Sequence, residues 1–410
     1  MTTTLTYGEN TSCLLEDVEA QRLSAGSAQT IPIDEIAAAV QSQLASPNDF
    51  PSLAQATIAG DSVVVAAESN VPQLASLLDG ALRSLYAAGT NPAETTILIA
   101  GSEESVDCLK TELIEIGHEC DIQRHDPDHE KEIAFLGISQ ADLAIRLNRL
   151  LCDADFVLPI VVTNANRFSK TEGTKFTGLY PIFSDTETMQ RIATESTEHF
   201  PGLNSETQQE LADCHGQLGV QLTLQVVPGA NEQIAQVLAG EANAVARQAD
   251  EQYQQTWQTG VSQRARLAIA TITGKDQQTW QNIARSLVVA DSILVDEGAI
   301  VVCSELEEPV GAALGLLATN EDPLVIEREL QRTPDVDCGA AMTIGRILQR
   351  HAIYLRSRLK PSLVESLGLS PIESDQEIER LTQSLRPCAV LEDAQWLLPV
   401  VESSEDADAN

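Results

Sequence analysis

The stretch Ser62–Gly89, with the sequence SVVVAAESNVPQLASLLDGALRSLYAAG, decides the fold of this chain. The run Ser62–Ala67 is almost continuously apolar, as in strands that are buried on both faces of a parallel sheet. From Pro72 to Ala88 leucine and alanine recur at helical spacing, and Gly89 follows where a glycine commonly ends a helix. The stretch therefore predicts a buried strand followed by an amphipathic helix.

The same alternation of strand and helix continues along the chain. In the first half we predict strands at Thr95–Ala100, Asp121–Arg124, Phe156–Val162 and Val220–Val227, and helices at Ser105–Ile116, Gln140–Leu151, Ser205–Gly216 and Glu232–Trp257. In the second half we predict strands at Leu267–Ile272, Ala299–Cys303 and Ala352–Leu355, and helices at Gln277–Ala290, Met342–Arg350 and Asp375–Leu385. Short apolar strands separated by helices indicate βαβ units. The predicted fold class is therefore α/β, with two domains whose mainly parallel sheets are flanked by helices.

The domain boundary is expected where the strand–helix rhythm restarts, just before Leu267. A chain of 410 residues suits two or three domains. We therefore predict an N-terminal domain over residues 1–260, a C-terminal α/β domain over residues 261–400, and an acidic tail at 401–410. Because small ligands usually bind at domain interfaces, the expected partner is a small molecule in an interdomain cleft. The oligomeric state is left open.

The composition is that of an acidic protein, with 61 acidic and 25 basic side chains and a formal net charge of -36. Such a surface repels nucleic-acid phosphates and anionic lipids, so neither nucleic acid nor membrane is an expected partner. The most apolar region, Leu287–Cys303, is interrupted by acids, and Met1–Ser12 lacks the features of a signal peptide. The eight cysteines form no CxxC pair, which is typical of a reducing compartment. We expect a cytoplasmic protein.

Common catalytic motifs are missing from the sequence. It has no GxGxxG after the first strand, no P-loop and no GxSxG elbow. The stretch His125-Asp126-Pro127-Asp128-His129 would suit a metal, but Pro127 argues against a helix that places both imidazoles on one face. A turn at the end of a strand is the favoured interpretation.

Several short segments follow one another in a distinctive order: Gly60-Asp61 with the strand after it, Thr95–Gly101, His125-Asp126, Asn148-Arg149, Asp153–Asp155, Leu238–Glu241, Thr273–Leu287, Gly298–Cys303, Ile353–Leu359 and Gly368–Pro371. Their order resembles that of the nickel-pincer lactate racemase (LarA-type) family over nearly the whole chain. The resemblance implies an isomerase that moves a hydride between a 2-hydroxyacid and a nickel-pincer nucleotide. That chemistry needs a tethering lysine, a histidine ligand for nickel, histidine bases, and cations for the substrate carboxylate.

When the family's catalytic residues are transferred one by one, the resemblance implies a degenerate active site in the first half of the chain. The family's acid-x-Thr-Arg-Pro turn corresponds to Glu68–Pro72, with Val71 in the arginine position. The family's Gly-Thr-His-Arg corresponds to Gly101–Glu104, with Glu103 in place of the histidine. The resemblance thus makes Glu68 and Glu103 the candidate catalytic residues. Glu103 would serve as a base only if burial raised its pKa toward neutrality.

The expected cofactor positions are equally altered. Lys175 is the best tether candidate, with Lys170 as the alternative. The region of the nickel histidine reads Met189–Ala193, so no metal ligand is predicted and no cofactor is expected, except the nickel-pincer nucleotide if the protein is active. The family's Tyr-Gln pair corresponds to Trp280 and Gln281, which become candidate cofactor-binding residues. An ordinary helix start with one buried face is an equally favoured interpretation of this pair.

Three functions stay open at this point. The first is a non-catalytic or repurposed member of the family, because the histidines are missing. The second is an active racemase or epimerase on a different, uncharged 2-hydroxy substrate. The third is a metal-free small-molecule binding or scaffold protein.

Overall fold

The computed structural model describes residues 3–9, 11–16, 18–26, 30–163, 178–198, 205–319, 323–332, 335 and 337–401. The strands are β1 (Thr3–Tyr7), β2 (Thr11–Leu15), β3 (Ala20–Leu23), β4 (Val63–Glu68), β5 (Thr95–Ala100), β6 (Asp121–Arg124), β7 (Ile133–Ile138), β8 (Ala144–Asn148), β9 (Phe156–Val162), β10 (Leu222–Pro228), β11 (Ile234–Glu241), β12 (Gln258–Val261), β13 (Ala265–Thr271), β14 (Leu294–Cys303), β15 (Ala352–Arg356), β16 (Ser370–Pro371), β17 (Cys388–Leu391) and β18 (Leu398–Val401). The α-helices are α1 (Ile36–Ala45), α2 (Leu53–Ala56), α3 (Leu74–Ala88), α4 (Glu103–Ile116), α5 (Arg149–Asp153), α6 (Thr186–Glu198), α7 (Ser205–Leu218), α8 (Ala242–Trp257), α9 (Trp280–Ile293), α10 (Ala312–Leu316), α11 (Pro323–Arg332), α12 (Cys338–Leu348), α13 (Pro361–Ser366) and α14 (Asp375–Ser384). None of these helices is long and apolar enough to cross a membrane. The predicted acidic tail lies outside the described residues from 402 onward.

The chain forms two compact units. We call residues 29–253 the central unit, and residues 1–28 together with 254–410 the terminal unit. The sequence placed residues 1–260 in a single N-terminal domain, whereas in the structure the first 28 residues belong with the C-terminal half. The reason is that β3 pairs in parallel with β17, so the start of the chain adds a strand to the terminal unit's sheet.

In the central unit, β4 lies in the middle of a sheet with the strand order β11-β10-β9-β4-β5-β6. Every neighbouring pair is parallel except β10 with β11. Val63 of β4 pairs with Thr95 of β5 on one side and with Phe156 of β9 on the other. The leucines of α3 share one apolar core with this sheet, and Gly89 ends the helix at a φ of 101°, which glycine adopts without strain. The stretch Ser62–Gly89 therefore forms the middle of the unit.

The terminal unit holds a second sheet, with the order β16-β15-β14-β13-β17-β3 and parallel pairing throughout. The hairpin of β1 and β2 packs on this sheet. Its residues Leu5, Tyr7, Cys13 and Leu15 share a core cluster with β13, β14 and β17. With helices beside both sheets, the structure confirms the predicted mixed α/β fold class with mainly parallel sheets.

The predicted helix Gln140–Leu151 is wrong. Residues Ile133–Ile138 and Ala144–Asn148 form an antiparallel hairpin, and only Arg149–Asp153 is helical. Ser139 lies in the turn of this hairpin, where its hydroxyl accepts the Leu143 N–H at 3.2 Å. Burial alternates along Ala144–Leu147, which is the periodicity of a strand and explains why the helix prediction fails here.

The predicted helix Glu232–Trp257 starts too early. Residues Ile234–Glu241 form β11, antiparallel to β10, and the helix begins at Ala242. Asn231 and Glu232 have φ angles of 54° and 59°, which places a tight turn between the two strands. Pairing with β10 overrides the helix-favouring composition of the segment.

Candidate functional site

The strand order of the central unit indicates one edge of its sheet as the candidate ligand site. After β4 the chain first adds β5 and β6 on one side and later β9 and β10 on the other. In open α/β sheets ligands bind outside the carboxyl ends of the strands where the strand order reverses in this way. We call this place the central edge and define it by the turn Glu68–Val71 after β4, the turn Gly101–Glu104 after β5, and Thr163 after β9.

The two turns of the central edge pack against each other. Parallel pairing sets Glu68 opposite Ala100, and the Ser69 N–H donates to the Ala100 carbonyl at 2.9 Å. A Cβ atom on Gly101 would collide with the Ser69 side chain, so the turns approach as closely as a glycine allows. Glu68 ends β4 half-buried. The fold therefore brings the two predicted residues, Glu68 and Glu103, to the same edge.

Glu103 lies at the surface as the first residue of α4. The helix is capped by Ser102, whose hydroxyl accepts the Ser105 N–H at 3.1 Å. Glu103 and Glu104 both occupy the first helical turn and are exposed. The helix dipole favours acids at this position, which gives both side chains a structural role. Glu103 is therefore exposed, whereas its predicted role as a base requires burial.

Val71 lies in the apolar core. It is 5% exposed and belongs to the same cluster as β4, β5 and α3. The resemblance places the family's carboxylate-binding arginine at this position. Residues 69–73 and 101–105 contain no lysine or arginine, while residues 103 and 104 are acids. The two turns themselves therefore carry acids and no lysine or arginine.

The segment that follows β9 carries the predicted tether. Lys175, its alternative Lys170, and the rest of residues 164–177 lie outside the described residues. Further along, Met189–Ala193 falls on α6, where the family's nickel histidine was expected.

An ion pair, and no imidazole, is found at that place on α6. Arg191 donates to the carboxylate of Glu210 at 2.6 Å, and the Tyr180 hydroxyl donates to the same carboxylate. Glu210 is fully buried, and burial together with this carboxylate raises the pKa of Tyr180. Removing one partner of such a pair leaves a buried charge, so the cluster joins α6 to α7 firmly.

The histidine-rich stretch after β6 forms a turn. The Asp126 carboxylate accepts the Asp128 N–H at 3.1 Å, which is the geometry of an Asx turn. His125 points inward and is buried, whereas His129 is exposed and lies 3.3 Å from the Glu132 carboxylate. The interpretation of this stretch as a turn at a strand end is confirmed. Across the described part of the chain, no three His, Cys, Asp or Glu side chains converge as metal ligands would.

In the terminal unit, Trp280 is the first residue of α9, and its contacts stabilise the start of that helix. Its side chain is 2% exposed, and its indole N–H donates to the Glu308 carbonyl at 3.2 Å. Its backbone N–H donates to the Glu308 carboxylate at 2.8 Å, so the protein's own acid occupies the helix N-terminus. Gln281 is exposed at the next position, and the family's lysine position is the buried Ala284. These contacts fit the interpretation of a helix start with one buried face.

The terminal unit has its own place where strand order reverses, between β13 and β17. We call it the terminal edge and define it by Ile272–Gly274 and Glu392–Asp393. The tip of the N-terminal hairpin is seated on it. The Gly8 N–H donates to the Ile272 carbonyl at 2.8 Å, and the Gly274 N–H donates to the Gly8 carbonyl at 2.8 Å. The Thr273 hydroxyl closes the edge by donating to the Asp393 carboxylate.

Polar contacts and buried apolar side chains hold the hairpin on the terminal edge. Glu305 clamps its tip by accepting from the Thr11 hydroxyl and the Glu9 N–H and by pairing with Arg358. Leu5, Cys13 and Leu15 are fully buried beneath it, and exposing each large apolar side chain costs about 1.5–3 kcal/mol. Sequence reasoning missed this element, although TTLTYGENTSCLL alternates with a period of two on both sides of a glycine.

Comparison with known proteins places the fold. No protein-family model and no curated protein sequence matches the chain. Among solved structures, the lactate racemase apoprotein from Thermoanaerobacterium thermosaccharolyticum is similar, with a TM-score of 0.77 and 14% identity over 98% of this chain and 100% of that one. A structural-genomics protein from Thermotoga maritima is also similar, with a TM-score of 0.65 and 12% identity over 92% of this chain and 100% of that one. At these identities the likeness shows a lactate-racemase-like fold.

Proposed function

We propose that this chain is a non-catalytic or repurposed relative of the lactate racemases that binds a small molecule at its central edge. The observation that carries the proposal is the altered chemistry of that edge. The arginine position is the buried Val71, and the histidine position is the exposed Glu103. A 2-hydroxyacid carboxylate would meet acids where it needs a cation, because like charges oppose its binding.

The nickel-pincer nucleotide does not fit the described residues. Imidazole suits nickel and carboxylates suit it less, yet the α6 region holds the Arg191–Glu210 pair in the expected place of the histidine. The tether candidate Lys175 lies outside the described residues. We therefore derive no reaction step through this cofactor and propose that the protein acts without it.

A second candidate function is favoured by the same residues. The loss of cations and the gain of Glu103 and Glu104 would suit an uncharged 2-hydroxy substrate, as in a racemase or epimerase of changed specificity. The third candidate is a metal-free small-molecule binding or scaffold protein. As a scaffold, the chain would need no ligand at its central edge. That a ligand binds in a cleft between domains stays a prediction from the sequence.

A racemase assay with the pincer cofactor supplied tests the proposal. Each missing imidazole base is worth about 10²–10⁴-fold in rate, so no measurable interconversion of the lactate enantiomers is expected. Turnover of about 1 s⁻¹ or faster, as in ordinary enzymes, would contradict the proposal. Nickel analysis and intact mass of the protein from its own host supply the matched control, because they show whether a cofactor was loaded. Turnover on a neutral 2-hydroxy compound, with none on lactate, would support the second candidate instead.

A further inference from the structure

His125 joins three separate pieces of the central unit. It follows β6 at 4% exposure, and its Nε2 lies 2.9 Å from the Ser184 carbonyl, just before α6 begins. Its Nδ1 lies 3.2 Å from the side-chain nitrogen of Asn148, at the end of β8. The ring also contacts Phe183, with centroids 5.5 Å apart. The imidazole therefore connects the start of α6 to β6 and β8, beside a direct bond from the Asn148 N–H to the Phe183 carbonyl at 2.7 Å and one from the Thr186 hydroxyl to the Asp128 carboxylate at 2.6 Å.

The hydrogen bonds assign the protons on this ring. A carbonyl only accepts, so Nε2 carries a hydrogen and donates it to Ser184. Asn148 fixes the other nitrogen, because its side-chain oxygen already accepts the Leu150 N–H at 3.0 Å as the cap of α5. The Asn148 amide group therefore points its NH₂ at Nδ1, which must accept. The ring is neutral in this arrangement.

A second proton on the ring has no acceptor. It would place a ring N–H against the Asn148 NH₂, and turning the amide round would break its bond to Leu150. A buried donor left without a partner destabilises the arrangement that contains it. Burial lowers the pKa of His125, the backbone bond to Ser184 and the charge of Asp126 act in the opposite direction, and Arg124 lowers it slightly further.

We propose that His125 is a proton-sensitive latch that holds the start of α6 while its ring is neutral and releases it when the ring takes up a second proton. The charged groups around the latch are Arg124 and Asp126 beside the histidine. On the α6 side they are Asp185 and Arg146, whose Nη1 lies 3.6 Å from the Asp185 carboxylate. The folded state binds the proton less tightly than the unfolded chain, so the latch stabilises α6 above the ordinary histidine range and is lost as pH falls below it.

Hydrogen exchange of the full-length protein at about pH 7.5 and about pH 5, corrected for intrinsic rates, tests the latch. The opening equilibrium of the α6 amides should rise about tenfold or more on acidification, while α3 in the same unit changes little. In H125Q the amide group replaces both hydrogen bonds but does not titrate, so α6 should stay protected at both pH values. The matched control H129Q alters the exposed histidine and should keep the wild-type response.

Three results would overturn the latch: an α6 opening that does not change with pH in the wild type, an H125Q variant that keeps the full pH response, or α3 opening in parallel with α6. If H125Q does not fold, the ring nitrogen-15 spectrum of the wild-type protein decides. A proton on Nε2 at neutral pH supports the latch, and a proton on Nδ1 overturns it.

Discussion

The two sheets end differently at their carboxyl edges. At the terminal edge the chain occupies its own crevice: Gly8 bridges the loop after β13, and Thr273 and Asp393 are bonded to each other. At the central edge the turns after β4 and β5 are packed together, but Glu103 and Glu104 face solvent. The terminal edge is part of the packed interior, which supports our proposal that the small molecule binds at the central edge.

The largest expected effect on the free energy of unfolding comes from a substitution that disrupts the terminal edge. Gly8 has a φ of 64°, and a Cβ atom there would collide with the Glu305 side chain. We expect Gly8→Val to destabilise the protein by about 3 kcal/mol or more, because left-handed strain and overpacking add together. The control Gly315→Ala, also in the terminal unit, meets no atom within 4 Å and should have little effect. Urea unfolding measures both, and a neutral Gly8→Val would refute the seated hairpin.

A smaller effect tests whether the region just beyond the terminal edge is closed. Gln395 follows the loop after β17, is fully buried, and neither polar atom of its amide has a partner within the described structure. Removing both unsatisfied atoms with Gln395→Met should stabilise the protein by about 1–3 kcal/mol. The midpoint of urea unfolding should rise accordingly. A destabilised variant would mean that the amide binds water or a ligand and that this region is open.

A still smaller effect concerns the acid at the start of α9. Desolvation of the Glu308 carboxylate raises its pKa, the bond from the Trp280 N–H lowers it, and the nearby Asp337 raises it further. The residue as a whole is exposed, so solvent screens the effect. A folded-state pKa above the unfolded value means that the native state binds the proton more tightly. Stability should therefore rise as pH falls from neutral toward the ordinary glutamate range. Thermal melts should show a weaker pH slope in Glu308→Gln, and an unchanged slope would contradict the assignment.

The smallest expected effect on stability comes from a substitution at the central edge. Glu103→Gln removes one exposed charge from the first turn of α4 and should cost only about 0.3–1 kcal/mol. The double variant with Glu104→Gln tests the ligand side of the comparison, because removing both acids should improve the binding of an anion such as lactate. Calorimetric titration with lactate measures this. Tighter lactate binding by the double variant supports the proposal that the acids of the central edge oppose anions. Unchanged weak binding would contradict it and indicate that the ligand binds elsewhere.

Local pattern was sufficient for short strands that are bounded by turn residues. The predicted bounds of β5, β6 and β9 agree with the structure, because turn residues bound each of these short strands. Local pattern failed where long-range pairing decides the outcome. The strand Ile234–Glu241 exists because β10 lies beside it, and the N-terminal hairpin is stabilised by residues far along the chain, such as Glu305.

The same distinction between local pattern and long-range contacts applies to the candidate site. Parallel strands bring Glu68 and Glu103 to one edge, and this follows from strand order alone. The exposure of Glu103 depends on where α4 begins. The position of Trp280 depends on Glu308, a partner 28 residues away that no spacing rule connects to it. Side-chain burial and distant partners therefore decide chemical roles that a sequence pattern can only suggest.

The measurement that tests the account most directly is peptide mass analysis after co-expression with the enzymes that make the pincer cofactor. Trypsin cleaves after unmodified lysine, so an unmodified chain yields the separate peptides Phe168–Lys170 and Thr171–Lys175. A tether on Lys175 would block cleavage and give Thr171–Arg191 with added mass, and one on Lys170 would give Phe168–Lys175. We predict the unmodified peptides alone. An adduct on either lysine would contradict the account and indicate an active nickel-pincer enzyme.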